Sequence, residues 1–155
     1  MNYDIVDVSR SAEIKTQLIE YAKSCSFQGV GSYLSELLLY DEFEDHEKVF
    51  VAISKNEIFG FVALLKECCC IDNEDNTPWL DFLFVDEVYR NRHIGLALIE
   101  AVCSYAKQLG YSDIFLCTVS HKEFYEKNGF FIKYTTFNYN NKHNEKPLFV
   151  MQKTI

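Results

Sequence analysis

The chain has 155 residues, 48% of them hydrophobic and 15% aromatic, which is one ordinary domain's length with ample material for a core. A formal net charge of −8 argues against a nucleic-acid-binding surface, which requires a clustered basic face. No apolar run is long enough to span a bilayer, and the opening Met-Asn-Tyr-Asp-Ile-Val has neither the basic nor the apolar segment of a secretion signal.

The expectation is therefore a cytoplasmic protein, residues 1–155 forming a single domain, with no nucleic-acid and no membrane partner. The six cysteines show no C-x-x-C pair and no His/Cys ligand spacing, so no metal is expected from them. Cys68, Cys69 and Cys70 are consecutive, while Cys25, Cys103 and Cys117 stand singly in apolar surroundings. This reads as reduced, mostly buried thiols in a reducing compartment.

In chain order, Asn2–Val8 alternates as a first strand. Ser11–Ser24 follows with Ile14, Leu18 and Ala22 four apart, a helical stripe, and a second helix covers Gly31–Tyr40. After the acidic run Asp41–Glu47, Lys48–Ile53 and Ile58–Leu65 flank Ser-Lys-Asn-Glu as a β-hairpin. A polar connection, Cys68–Pro78, leads to the apolar strand Trp79–Val85. Ile94–Leu109 is the strongest helix, with Leu98, Ala101, Val102, Tyr105 and Leu109 on one face and Gly110 as a C′ residue. Ser112–Val119 predicts a strand, Glu123–Asn128 a short helix stopped at Gly129, Phe130–Tyr139 a strand, Asn140–Pro147 a turn and Leu148–Lys153 the last strand. The class is α/β (α+β), a mixed, mostly antiparallel sheet with about four helices packed on it.

The most informative segment is Trp79–Val85 followed by Asp86–Tyr89 and Arg90-Asn-Arg-His-Ile-Gly-Leu-Ala97. A helix N-terminus leaves backbone N–H groups unpaired and carries partial positive charge, so it attracts anions. Gly95 permits close backbone approach, and Arg90 and Arg92 add charge. An ordinary βα connection with exposed arginines fits this segment equally well. Asp81 is the only ionisable residue among the seven of the strand, on the face of Trp79, Leu83 and Val85 by strict alternation. Burial of a carboxylate is costly unless it is paired or working, and it raises the pKa in the sense a general base needs. A hydrated Asp at an open sheet end is the alternative. Tyr125, opening the short helix, either packs its ring or donates a proton.

Taken together these residues resemble the GNAT superfamily of acyl-CoA N-acyltransferases. The family's phosphate-cradling pattern, Arg/Gln-x-x-Gly-x-Gly/Ala after a strand that often ends in Val, is matched by Arg90, Gly95 and the spacing from Val85. Tyr125-Glu-Lys-Asn-Gly-Phe130 matches its Tyr-Glu-x-x-Gly-Phe signature, and the order of elements fits along nearly the whole chain, including the ending Phe149-Val-Met-Gln-Lys. Two departures stand out. His93 replaces the cradle's usual first Gly, where a Cβ restricts the backbone and crowds a pyrophosphate, although the imidazole can donate to phosphate. The connection Thr118–Glu123 is short and lacks the Asn that many relatives carry before this Tyr.

The resemblance implies acetyl-CoA as co-substrate, its pantetheine arm along Leu83, Phe84 and Val85 where a bulge splays the sheet. Its pyrophosphate would meet the N–H groups of Asn91, Arg92, His93, Ile94, Gly95, Leu96 and Ala97, with Arg90 beside them. It also implies direct attack by an acceptor amine, with Asp81 as base, Tyr125 as acid to the leaving thiolate, and a backbone N–H near Val85 for the oxyanion. The acceptor region would hold Asp41–Glu47, Asp72–Asp75, Phe27, Tyr33 and Tyr40, which fits a small cationic amine. A protein or peptide N-acetyltransferase and an acyl-CoA-binding module without turnover are the other readings. His46, His121 and His143 lie in polar stretches and receive no role. Family members often dimerise through C-terminal strands, and Tyr134-x-x-Phe137-x-Tyr139 allows a homodimer.

Overall fold

Residues 1–71, 75–137 and 146–155 are described by a computed structural model. Seven strands form one sheet in the order β1-β2-β3-β4-β5-β7-β6: β1 Asp4–Asp7, β2 Lys48–Ser54, β3 Glu57–Leu65, β4 Trp79–Val85, β5 Asp113–Thr118, β6 Phe131–Thr136 and β7 Leu148–Thr154. Every pairing is antiparallel except β4 with β5. Helices α1 (Ala12–Ser24) and α2 (Gln28–Leu39) cover one face; α3 (Ile94–Gln108) covers the other, and α4 (Lys122–Lys127) follows β5.

The local chemistry explains the element ends. Ser11 caps α1 by accepting from the Ile14 amide at 3.3 Å, and Gly110 follows α3 with φ +93°. The β2–β3 hairpin turns at Lys55 and Asn56, with Lys55 in the left-handed region. Helices α1 and α2 meet at Gly31, where an added Cβ would lie 2.2 Å from the Ala22 carbonyl oxygen. The buried stripe of α3 is Ile94, Leu98, Ile99, Val102 and Ala106. Leu98 and Val102 of the expected stripe are buried, whereas Ala101, Tyr105 and Leu109 are only half-buried.

Second-helix and strand boundaries shift modestly. The second helix begins at Gln28 rather than Gly31, the first strand gives way to a 3-10 turn over Val8–Arg10, and a further 3-10 turn spans Glu87–Tyr89. The expected turn 140–147 and the residues Tyr139 and His143 lie outside the described residues, apart from Lys146 and Pro147, as do positions 72–74 of the acidic connection.

Two irregularities around β4 open the sheet beside it. Phe61 pairs with Phe84 but Ala63 pairs with Asp81, so β4 carries one extra residue there, and Phe82 adopts φ +56°. On its other edge β4 pairs with β5 only at Trp79 and Phe115, and beyond that rung the strands part.

Candidate active site

The bulge overturns the alternation expected for Asp81. Opposite residues in a sheet share a face, and Asp81 stands opposite Ala63, which packs with α1 and α2. Beyond the extra residue, Phe82 and Phe84 lie on that same side, while Leu83 and Val85 pack on the α3 side. Asp81 therefore shares its face with Trp79 but not with Leu83 or Val85. The phase slip puts the carboxylate on one side of the sheet and Leu83 and Val85 on the other.

Asp81 is half-buried, one oxygen accepting from the Phe82 amide at 2.7 Å and the other from the Cys69 thiol at 3.2 Å. Burial is the strongest influence on it and pushes its pKa up to about 6, against the lowering effect of the Phe82 and Cys69 bonds. Such a group is ionised at neutral pH yet basic enough to take a proton. Tyr125 is half-buried, its ring edge-on to Phe124 and Phe130 at centroid distances of 5.2 and 5.8 Å. Its hydroxyl pKa is raised, first by burial, then by the negative charge of Asp81 and by Cys117. That coupling brings Asp81 of β4 and Tyr125 of α4 within electrostatic reach of each other.

The turn after β4 has the geometry of an anion cradle. Asn91 and His93 both lie in the left-handed region, with φ +62° and +60°, and Arg92 between them does not. Alternation of this kind turns successive N–H groups toward a common concavity. His93 is the N-cap of α3 and makes no side-chain capping bond, so the first-turn donors stay open. Ala97 is an exception: its N–H donates to the His93 carbonyl at 3.0 Å, so the open run ends at Leu96. Gly95 has a different reason than left-handed backbone. An added Cβ would sit 3.2 Å from Phe124 Cζ, so the glycine lets α3 and α4 approach closely.

The flanking cations are oriented rather than free. Arg90 Nε donates to the Val85 carbonyl at 3.1 Å, and the same guanidinium pairs with Glu87 at 3.9 Å. Arg92 lies over the Tyr89 ring at 5.8 Å and donates to Met1 Sδ at 3.4 Å. Phe84 belongs to the core, stacked on Phe27 at 5.7 Å. Leu83 and Val85 are half-buried at the opening.

On the α1–α2 side, Tyr33 packs edge-on against Phe82 at 5.8 Å, and its pKa is raised by burial and then by Cys69, Glu42, Asp81 and Glu47. The acidic run thus reaches toward Asp81 through Glu42 and Glu47. Glu47 is at the same time held by the Lys66 and Glu44 amides, each at 2.9 Å, while Asp41 pairs with Lys15 and Glu44 with Lys66 at 3.1 Å. Tyr40 is exposed. A depression of about 640 Å³ lies under Glu44–Glu47 and Leu64–Lys66, and neither Asp81 nor Tyr125 lines it.

Sequence reasoning missed the thiols. Of six free cysteines only Cys25 and Cys68 are buried; Cys70, Cys103 and Cys117 are half-buried and Cys69 is exposed. Cys68 and Cys117, 49 positions apart, bring their sulfurs to 3.2 Å. Hydrogen bonding from Cys117, then Cys68 and Cys69, holds the Cys70 thiol below its ordinary range, while Cys117 is pushed up by its bonds to Cys68 and Cys70 and by burial. No local spacing signals this convergence, because a β-strand distant in sequence supplies one member.

A sheet parted beside a bulged strand, followed by an anion-cradling turn and a half-buried tyrosine, fits an acyltransferase of the CoA-dependent kind. The family model described as "Acetyltransferase (GNAT) family" matches residues 15–130, three quarters of the chain, and the chain belongs to that family. No protein of curated function matches the sequence. Among solved structures, the aminoglycoside 6'-N-acetyltransferase from Enterococcus faecium is 20% identical over 99% of this chain and 97% of its own, with a TM-score of 0.76. An aminoglycoside 6'-N-acetyltransferase complexed with coenzyme A is also 20% identical, covering 97% of this chain and 96% of its own at a TM-score of 0.73. A candidate streptothricin acetyltransferase from Bacillus anthracis str. Ames, in complex with acetyl coenzyme A, is 26% identical over 75% of this chain and 68% of its own, with a TM-score of 0.63.

Proposed function

We propose that this acetyltransferase moves the acetyl group of acetyl-CoA directly to a primary amine on a small cationic molecule. The observation that carries the reading is Asp81, a carboxylate with a raised pKa placed by the bulge at the mouth of the β4–β5 opening and coupled to Tyr125. The residues present fit the co-substrate: left-handed Asn91 and His93 and the uncapped first turn of α3.

In this reading the N–H groups from Asn91 to Leu96 hold the pyrophosphate, with Arg90 and Arg92 alongside. Leu83, Phe84 and Val85 present the strand edge along which the pantetheine arm lies, and a β4 amide near Val85 faces the developing oxyanion. Acetyl-CoA supplies an activated thioester. Asp81 takes the proton that the amine must lose on forming the amide bond, directly or through water. Tyr125 gives its proton to the sulfur as the C–S bond breaks. Because the negative charge of Asp81 helps hold the Tyr125 proton, protonation of Asp81 makes Tyr125 a stronger acid as the thiolate forms.

A cationic acceptor is supported by the net charge of −8 and by Glu42 and Glu47, whose charges reach Tyr33 together with that of Asp81. The aminoglycoside acetyltransferases of similar fold support a small-molecule acceptor in the same sense. The sheet draws its strands from β1 at Asp4 to β7 at Thr154, which supports 1–155 as one domain. Edge strand β6, with Phe131 and Ile132 exposed, supports a homodimer, and the six free thiols support a cytoplasmic setting.

A panel of polyamines, aminoglycosides, amino acids and peptides incubated with acetyl-CoA, with released thiol as the signal, tests the reading. Turnover concentrated on polycationic small molecules is expected. Turnover on peptides alone would move the assignment to a protein or peptide N-acetyltransferase. Tight CoA binding without release on any amine would make the chain a binding module, with His93 as the first residue to revert.

A further inference from the structure

The turn after β3 and the strand β5 place three thiols in one cluster. The sulfurs of Cys68, Cys70 and Cys117 all lie within 4.8 Å of one another, with Cys68 and Cys117 at 3.2 Å. Three thiolates around one ion at about 2.3 Å from each sulfur stand roughly 3.8 Å apart. The Cys68–Cys117 distance is below that value and the Cys70 sulfur lies within 4.8 Å of both, so closing the set around an ion needs only small side-chain adjustments.

The surroundings fit a site as well as the distances do. Cys117 is fixed by the ladder, paired with Val150 of β7, and Cys68 is buried against Trp79, Phe115 and Val150. The Cys70 amide donates to Cys68 Sγ at 3.4 Å, an orienting bond to sulfur of the kind that supports metal ligands from outside the coordination shell. Cys70 and Cys117 are half-buried, which leaves a path of entry. The neighbouring charge is negative, with Asp81 bonded to the adjacent Cys69.

We infer that Cys68, Cys70 and Cys117 form a binding site for a single soft, thiophilic divalent cation such as Zn²⁺, at the rim of the acetyl-transfer site. Sulfur ligands select such ions over Mg²⁺ or Ca²⁺, and a three-sulfur set leaves a fourth tetrahedral position to water. The inference stands on sulfur geometry and does not depend on which amine is acetylated. A simple disulfide between Cys68 and Cys117 would leave Cys70 unexplained and would require an oxidant.

The test uses the full chain, reduced and then freed of reductant under inert gas, titrated with Co²⁺ and then Zn²⁺. One equivalent of Co²⁺ per chain is expected, with thiolate-to-metal absorption in the near ultraviolet, displacement by Zn²⁺, and three of the six thiols shielded from a disulfide reagent. Cys70→Ser and Cys117→Ala should each weaken Zn²⁺ binding by at least about 100-fold, whereas Cys25→Ser and Cys103→Ser should leave it unchanged. Circular dichroism of each variant separates lost binding from lost folding, and Cys70, half-buried on a turn, is the substitution least disruptive to the core. Substoichiometric uptake, cobalt spectra without thiolate bands, or equal affinity in folded Cys70→Ser would overturn the inference. So would quantitative formation of a Cys68–Cys117 disulfide in a protein that takes up no Zn²⁺. These readouts do not use acetyl transfer, so a failed metal site and a failed enzymatic assignment are distinguishable.

Discussion

On one side of the bulge at Phe82, β4 runs into a cradle drawn from a single contiguous segment, Val85 to Leu96. On the other side, Asp81 sits among groups from α2, the turn after β3, β5 and α4: Tyr33, Cys69, Cys117 and Tyr125. In the proposed function the cradle acts through backbone N–H groups and φ values, so a histidine serves where the family's pattern has glycine, His93 being left-handed at φ +60°. The proposed acceptor rim would act through side-chain charge and proton affinity, and those properties belong to particular atoms. One side should therefore absorb substitutions as changes in binding, and the other as changes in chemistry.

The largest expected effect is Asp81→Asn. Turnover at neutral pH should fall by about 10²–10⁴-fold, with a smaller deficit at high pH, where the amine loses its proton unaided. In the wild type, kcat/KM should climb as pH rises through about 6 and level off above it, because the base is then ionised. That limb should be missing in the variant; an unchanged pH–rate profile removes Asp81 from the role. The same substitution should stabilise the fold. A carboxylate with its folded pKa above its unfolded value keeps its full contribution only below about pH 4 and loses it as pH rises to about 6. At pH 7, Asp81→Asn should thus gain on the order of 1 kcal/mol, discounted for partial exposure, read as a higher melting temperature.

Next in size is Tyr125→Phe. It keeps the ring contacts with Phe124 and Phe130 and deletes the hydroxyl, so kcat should drop by about 10²-fold with little change in acetyl-CoA affinity. Full turnover in this variant would assign the proton donor elsewhere. On the cradle side the expected signature is reversed. Gly95→Val forces Phe124 aside from a Cβ at 3.2 Å and should raise KM for acetyl-CoA about 10-fold, leaving the pH profile in place. A loss of kcat with unchanged KM would break the contrast between the two sides.

His93→Gly should have the smallest effect. Relief of left-handed strain, about 1 kcal/mol or more, is partly offset by the extra freedom of glycine in the unfolded chain. A net gain of a few tenths of a kcal/mol in denaturant unfolding is expected, with a modest tightening of CoA binding. Weaker CoA binding in His93→Gly would show that the imidazole itself holds phosphate.

Much of the molecule was written in local pattern. The period of Ile94–Leu109, the alternation in the β2–β3 hairpin and the run Trp79–Val85 each follow from burial on one face or two, and the order of elements and the two motifs around Arg90 and Tyr125 lie in contiguous residues. Their environment is mostly their own chain neighbourhood, so sequence by itself determined them, along with the acetyltransferase family. The tertiary structure decided what depends on a slip in register or on distant partners. One extra residue at Phe82 moved Asp81 to the opposite face from Leu83 and Val85, because strand alternation resets at a bulge. Parting of β4 from β5 opened the site beside it. Folding also carried Cys117 across 49 positions to Cys68, a meeting that no spacing rule encodes because the sheet, not the chain, sets the distance between those sulfurs.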